Sequence, residues 1–323
     1  MILVLGADSY IGRIFCAELR RRGHDFTLPA NKDYSDFDSL FDCIRKAKPE
    51  FIINAAGRAG APDVDACEVE RDETLHANTI LPHSVAKVCL MTNTPWGHVS
   101  SCGIYSGAKI AGDDGLIIGK KIRRADLLRL LAECPEKIHG FTESDEPNFS
   151  FRDAPCNFFS GTAALAEESI RGIGRNYIWR IGLPFNERDD RENFLQQIQN
   201  VEKIYRGVGA LSHTGDFVRA CLDLWELRAP FGIYNVANPG VVTSWQIVER
   251  LRKILQPKRD FEFWEDDAEF YRGGNRALRS DCVLEVSKLL AAGVPMRPAA
   301  EALEDSLQNW RAENVPQESR KAA

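Results

Sequence analysis

What the sequence lacks narrows its class before any motif is read. No apolar stretch approaches the roughly 20 residues that a membrane span needs, so no membrane partner is expected. No basic block exceeds Lys120-Lys121-Ile122-Arg123-Arg124, which reads as a solvated helix start. With a net charge of −6 and a pI near 5.7, nucleic acid is not expected as a partner either. The nine cysteines fall without metal-ligand spacing, no metal site is expected, and no signal peptide precedes the first strand. Free thiols and a reducing, cytoplasmic compartment follow as the expectation. There is no internal repeat and no Pro/Gly/Ser-rich linker, so the parts of the chain should pack closely around a cleft. What is present is 323 residues, 44% of them hydrophobic, enough for one large domain or two medium ones.

The most informative stretch is the first. Met1-Ile2-Leu3-Val4-Leu5 reads as a buried strand, Gly6-Ala7-Asp8-Ser9-Tyr10-Ile11-Gly12 as a tight turn, and 13–22 as a helix with Ile11, Ile14, Phe15 and Leu19 on one face. A strand that turns into a helix N-terminus aims unpaired N–H groups and the positive end of the helix dipole at one point, where a pyrophosphate can sit. Gly6 permits the sharp turn and Gly12 lets the helix lie close to the strand. The middle position, usually Gly, is Ser9, whose hydroxyl is a candidate phosphate contact. An ordinary strand-to-helix turn would need only some of these features.

Strand and helix patterns then alternate: a strand over 26–29, a helix over 37–46, a strand over 51–57, one long helix over 74–91, and a strand over 96–101. After the 104–156 segment, which holds a helix over 124–134, come a helix over 157–172 and a strand over 177–181. Such alternation predicts an α/β fold, a Rossmann-type doubly wound parallel sheet. Beyond Pro184 the rhythm loosens into helices over 191–205, 215–227, 244–255 and 299–310 and a strand over 232–236, which predicts a smaller C-terminal substrate lobe. The expected division is 1–182 with 212–240 returning to it, 183–211 with 241–315 as the lobe, and a frayed tail at 316–323.

Taken together, the 6–12 turn, Asn54-Ala55-Ala56-Gly57, Asn78, Ser100-Ser101-Cys102-Gly103-Ile104-Tyr105 and Asn235-Val236-Ala237-Asn238-Pro239-Gly240 resemble the extended short-chain dehydrogenase/reductases. These are NAD(P)-dependent epimerases, dehydratases and reductases of nucleotide sugars. Stretches 54–68, 145–170 and 235–242 are most similar to the dTDP-4-dehydrorhamnose reductases and the plant-type nucleotide-rhamnose epimerase/reductases. The resemblance implies a nucleotide-sugar ligand, reduction of a keto-deoxy sugar or epimerisation through a keto intermediate, and a homodimer as one open assembly. It places the cofactor against Gly6, Asp8, Ser9, Tyr10, Ile11, Gly12, Ala55, Ala56, Gly57, Asn78 and Leu183, and the catalytic Ser at Ser101.

In the family a Tyr hydroxyl exchanges the proton, and a Lys four residues on lowers its pKa and holds the nicotinamide ribose. Those positions fall on Phe159 and Ala163, within Phe159-Ser160-Gly161-Thr162-Ala163. Phe keeps the ring and loses the hydroxyl; Ala keeps the helix and loses the charge. Two explanations stay open: a relative that has abandoned the pair, or an engineered, inactive variant. A non-catalytic NAD(P)-binding regulatory or partner-binding protein of the same fold is the alternative function. Tyr105-Ser106-Gly107-Ala108-Lys109 repeats the Tyr-x-x-x-Lys spacing, but Gly107 argues against a helix there. Asp145 and Glu146 are further candidate acids, although a charged loop of this kind is more often solvated.

Cofactor choice is expected to rest on the end of the second strand, Leu28-Pro29-Ala30-Asn31-Lys32-Asp33. Pro29 stands about where an acid would bond the adenosine ribose, which favours NADP(H), with Lys32 or Arg13 as phosphate contacts. Asn31 and Asp33 keep NAD(H) open. On the substrate side, Arg58, Cys102, Tyr105, Asn193 and Arg279 are expected at the cleft. Cys102 reads as a packing residue rather than a nucleophile, because no His is placed to activate it. Arg180 and Arg276 are further diphosphate candidates, since guanidinium forks match phosphate geometry, while arginines on an acidic surface also pair with local carboxylates. His98 and His213 are expected to satisfy polar packing.

Overall fold

A computed structural model describes residues 1–29, 36–61, 63–112, 115–118 and 124–311. Asn31, Lys32 and Asp33, the Lys120–Arg123 part of the basic run and the tail lie outside the described residues.

The core is a six-stranded, fully parallel sheet. Its strands in chain order are β1 (Ile2–Leu5), β2 (Phe26–Thr27), β3 (Phe51–Asn54), β4 (Trp96–Ser101), then after an inserted segment β8 (Asn176–Ile181), and at the edge β12 (Gly232–Val236). In space the order is β12-β8-β4-β3-β1-β2. The strands are nearly continuous apolar runs because helices cover both faces: Ile2, Leu3, Val4 and Leu5 are all fully buried. One face is covered by α1 (Tyr10–Arg22) and α9 (Thr214–Glu226), with Phe15, Trp179 and Phe217 between them. The other is covered by α2 (Phe37–Ala47) and α5 (Leu81–Thr92). Gly97 on β4 is dictated by this packing, because any Cβ there would run into the Trp179 indole. The chain leaves β1 one way to β2 and returns the other way to β3. The crevice where ligands bind in such sheets therefore lies at the carboxyl ends of β1 and β3.

The long helix expected over 74–91 is broken into α4 (Arg71–Leu75), a π-helical turn (His76–Ile80) and α5, after a short α3 (Ala66–Val69). The wide turn sets Thr79 so that its hydroxyl donates to Thr162 O at 2.8 Å. A separate three-stranded sheet joins β5 (Lys109–Gly112), β6 (Gly115–Ile118) and β7 (Ile138–His139), with α6 (Arg124–Glu133) between β6 and β7 in the chain. Helix α7 (Phe158–Ile170) then leads into β8.

A second sheet joins β9 (Leu183–Phe185), β11 (Val208–His213) and β13 (Asn238–Thr243). The polar helix expected over 191–205 shortens to α8 (Phe194–Asn200), because β10 (Lys203–Ile204) pairs with β14 (Glu262–Phe263). A separate core packs β11 and β13 against α10 (Ser244–Leu255) and α13 (Ala299–Gln308). Two shorter helices complete the chain, α11 (Asp267–Arg272) and α12 (Ser287–Ala291). No helix among the described residues is long and apolar enough to cross a membrane, and the cysteines are all free.

Candidate active site

The Gly6–Gly12 turn is built as a backbone cradle. Gly6 has φ +73°, and its Cα faces the main chain of Ala55 and Ala56, while Gly12 faces Gly6 O; a Cβ at either position would collide. Ser9 caps α1, its hydroxyl donating to Ala55 O at 2.9 Å and accepting from Gly12 N at 3.0 Å. Its one proton is therefore spent holding the turn to the loop after β3, and the expected phosphate bond from this hydroxyl is corrected accordingly. The N–H groups of Tyr10 and Ile11 have no intrahelical partner, and the first turn carries no acid, so an anion is favoured there. Main-chain amides, a close glycine approach and a helix dipole fit a dinucleotide pyrophosphate. Asp8 is exposed at the tip and Ile11 half-buried. The Tyr10 side chain turns away into the interior, where burial and the Asp190 charge push its pKa up. Arg13 is held by Asp8 O and Asp190, each at 2.9 Å, rather than free for a phosphate.

The loop after β3 forms the adjoining wall. Asn54 Oδ1 accepts from Ala56 N at 3.1 Å, and its Nδ2 lies 3.2 Å from His98 Nδ1. Burial lowers the His98 pKa to about 4, so the ring is neutral and a packing group, as expected. Asn78 is buried and grips the Arg58 backbone, accepting from its N at 2.7 Å and donating to its O at 2.9 Å. It positions Gly57 and Arg58. The Arg58 guanidinium is itself paired with Glu70.

Ser101 ends β4, and its Oγ accepts from Gly103 N at 3.0 Å, which leaves its proton to donate. A methyl group at Gly103 would lie 3.2 Å from Ser101 Oγ, 3.4 Å from the Phe159 ring and 3.5 Å from Ser160 Oγ, so these three side chains converge on one point. Phe159 is half-buried, and Ala163 lies one helical turn further along α7. The expected serine and phenyl ring thus share one corner, with Ala163 one helical turn on in a buried cluster, and neither the ring nor the alanine supplies a hydroxyl or a cation.

Tyr105 and Lys109 do not replace them. The Tyr105 ring is fully buried and stacked on Phe141 at 4.5 Å; its hydroxyl donates to Asp145 O at 2.6 Å and accepts from Arg180 Nη1 at 2.8 Å. Burial drives its pKa up. Lys109 pairs with the Asp145 carboxylate at 2.7 Å in a β-strand. Tyr105 is therefore a core residue, which corrects its expected place at the cleft, and Glu146 lies on the surface against Arg171. Cys102 is buried in the same cluster, 6% exposed, which fits its reading as a packing residue and corrects its expected place lining the cleft.

Arg180 was expected at a diphosphate but is fully buried, with Nη2 2.7 Å from Glu167 Oε2. A lone charge in Tyr177-Ile178-Trp179-Arg180-Ile181 already signals a buried partner, because an unpaired one is costly. Asn193 is another correction. It is fully buried, caps α8, and donates to Asn186 O at 2.8 Å and Arg188 O at 2.6 Å. Arg279 is mostly covered, bound to Asp65 at 3.0 Å and set over the Phe270 ring. The sequence offered no sign of Asp65, whose carboxylate also accepts from the N–H groups of Arg276 and Ala277 at 2.9 and 3.0 Å. It ties the 276–279 strap to the loop after β3. Leu183 remains partly exposed at the start of β9. His213 is buried between Glu187 and Asp216, each 3.5 Å away.

With this geometry in place, comparison with known proteins is informative. The sequence model of one family, described as the RmlD substrate binding domain, matches residues 1–311. A bifunctional dTDP-4-dehydrorhamnose 3,5-epimerase/dTDP-4-dehydrorhamnose reductase of Arabidopsis thaliana is 25% identical over 256 residues, covering 79% of this chain and 75% of its own. Among solved structures, the L780 UDP-rhamnose synthase of Acanthamoeba polyphaga mimivirus superposes with a TM-score of 0.79 at 18% identity, over 95% of this chain and 98% of that one. The dTDP-4-dehydrorhamnose reductase of Bacillus anthracis str. Ames, in complex with NADP, gives 0.72 at 18% identity, over 96% and 97%.

Proposed function

The chain belongs to the RmlD substrate binding domain family, and from that premise we propose that it is an oxidoreductase that uses NADP(H) or NAD(H) on a nucleotide-linked keto-deoxy sugar. The observation that carries this reading is the 6–12 cradle, in which Gly6 and Gly12 press backbone on backbone beneath the free N–H groups of Tyr10 and Ile11. Residues 1–182 with 212–240 would hold the dinucleotide, and 183–211 with 241–315 the sugar. When bound, the nicotinamide gives or takes the hydride. Ser101 Oγ donates a hydrogen bond to the substrate oxygen and polarises it. Phe159 closes the site beside that oxygen as an apolar wall. With no phenol at 159 and no ammonium at 163, the proton that accompanies hydride transfer comes from water, and turnover is slow.

A second reading, binding without turnover, is favoured by a separate observation: Tyr105 and Asp145 are already committed to the core and cannot take over the missing relay. Titration with NADPH and NADH, followed by protein fluorescence and Tm, tests the shared premise. If neither dinucleotide binds at millimolar concentration, both readings fail. Dinucleotide oxidation in the presence of a nucleotide-linked 4-keto-6-deoxy sugar then separates them, because a rate above the no-sugar background requires an enzyme.

A further inference from the structure

A second cavity lies apart from the cleft. Between the inserted segment and the C-terminal lobe, α6 (Leu128, Leu131), Val241 on β13, Phe263 on β14 and Trp245 at the start of α10 enclose a groove of about 620 Å³. It opens at the Gly207 end of β11, whereas the dinucleotide turn lies near the other end, where Thr214 meets Tyr10. Its size suits a small ligand. Trp245 is 53% exposed although it has Phe263 beside it, the ring centroids 5.5 Å apart at 37°, so a large aromatic face is left for an occupant.

The residues that line this groove carry charge of one sign, and the Asp281 carboxylate beside Gly207 is bonded to Val208 N. None of its lining residues is acidic, and the first turn of α10 carries no acid. Arg206 is the only lining cation. Its guanidinium lies over the Phe263 ring at 5.8 Å and makes no ion pair among the described residues. An apolar, aromatic-faced groove with one uncompensated guanidinium at its rim complements a flat apolar body with a single negative group.

We propose that this groove is a binding site for a small aromatic carboxylate, independent of the dinucleotide cleft. The ring lies against Trp245 and Phe263, and the carboxylate meets Arg206. The groove lies within the part of the chain proposed to hold the sugar but shares no residue with the Gly6–Gly12 turn or the Ser101 corner, so the inference stands whatever the outcome for dinucleotide binding.

The test uses naphthalene-2-carboxylate and its neutral counterpart naphthalene-2-methanol, titrated by calorimetry into the full chain with and without saturating NADPH. The carboxylate should bind at least tenfold tighter than the alcohol, with NADPH leaving its Kd unchanged. Arg206→Gln, at an exposed position, should erase the preference by weakening the carboxylate about tenfold. Leu131→Trp should block both compounds by filling the groove. Equal affinity for the two compounds, displacement by NADPH, insensitivity to Leu131→Trp, or no binding at millimolar concentration would each overturn the proposal.

Discussion

Placing a hydroxyl at position 159 is the most direct probe of the proposed chemistry. Phe159 is half-buried on the second residue of α7, and its ring edge lies 3.4 Å from the point at Gly103 that is 3.2 Å from Ser101 Oγ. A phenol oxygen there would share the substrate oxygen with Ser101. It would also need little repacking, because the ring is already in place. A phenol with a pKa near 10 is protonated at neutral pH and can act as the acid in ketone reduction without help from a lysine. A positioned acid is worth about a hundred- to ten-thousand-fold in rate, roughly 3 to 5 kcal/mol of barrier. Phe159→Tyr alone should therefore raise kcat for reduction of a nucleotide-linked 4-keto-6-deoxy sugar by about a hundredfold, the low end of that range. Ala163 is buried against Cys102 and Ala237, so adding Ala163→Lys should cost about 1–3 kcal/mol of stability. Its benefit should appear as a lower KM for the dinucleotide. Dinucleotide oxidation, followed by absorbance, reads both, a tenfold change in rate standing for about 1.4 kcal/mol. A folded Phe159→Tyr protein that binds both ligands but turns over no faster than its parent would refute the assignment of the relay to this corner.

Three further outcomes follow from the buried polar groups. Arg180→Met strips the partner from Glu167 and should lower urea stability by about 3–5 kcal/mol, much of it recovered when Glu167→Leu is added; a single-variant loss below about 1 kcal/mol would contradict the pairing. Tyr105→Phe removes the hydroxyl that links Asp145 O to Arg180 and should cost about 1–3 kcal/mol while leaving any turnover unchanged, so a tenfold fall in rate would return Tyr105 to the chemistry. For His213, burial pulls the pKa down, but its bonds to Asp216 and Glu187 prevail and hold it above its ordinary 6.5. Its contribution is complete below pH 6.5 and is lost as pH rises through the folded value. Tm of the parent should thus fall toward that of His213→Gln between neutral and alkaline pH, and parallel Tm curves would count against it.

The parts of the fold that one residue type determines locally could be read from the sequence. Ile2–Leu5 and Phe51–Asn54 announce buried parallel strands by being apolar on every position, and Ser9, Asn157 and Thr243 mark the helix starts that they cap. The break in the 74–91 helix has no such mark, since it arises when Asn78 and Thr79 turn toward the Arg58 loop and α7. The candidate site divides the same way. Glycines needed for backbone approach were legible because nothing else fits, whereas side chains with several possible partners were not. Ser9, Tyr105, Arg180 and Asn193 each carry a group suited to a ligand, and in each case main chain or a carboxylate claims it, from 46 and 40 residues away for Ser9 and Tyr105. The Asp65 tie to the 276–279 strap joins segments some two hundred residues apart, |i−j| 211 for Arg276, and no local pattern encodes it.

The fastenings of α7 leave the side chains of positions 159 and 163 out of the fold's polar network. The helix is fastened at its start by Asn157, whose side chain caps Ser160 N and donates to Leu278 O, and near its end by Glu167 against Arg180. Between them, Thr162 O accepts from Thr79, and the Thr162 hydroxyl donates to Phe159 O. Every one of these fastenings uses a side chain other than those of 159 and 163, or a main-chain group that any residue provides. The side chains of 159 and 163 thus take no part in these fastenings, and on the proposed function their chemistry can be changed while the cradle at Gly6–Gly12 and the Ser101 corner keep their shape. If the proposed function holds, ligand binding and proton transfer are separable in this chain for that reason, and a protein that binds dinucleotide and sugar but reduces slowly is the expected outcome.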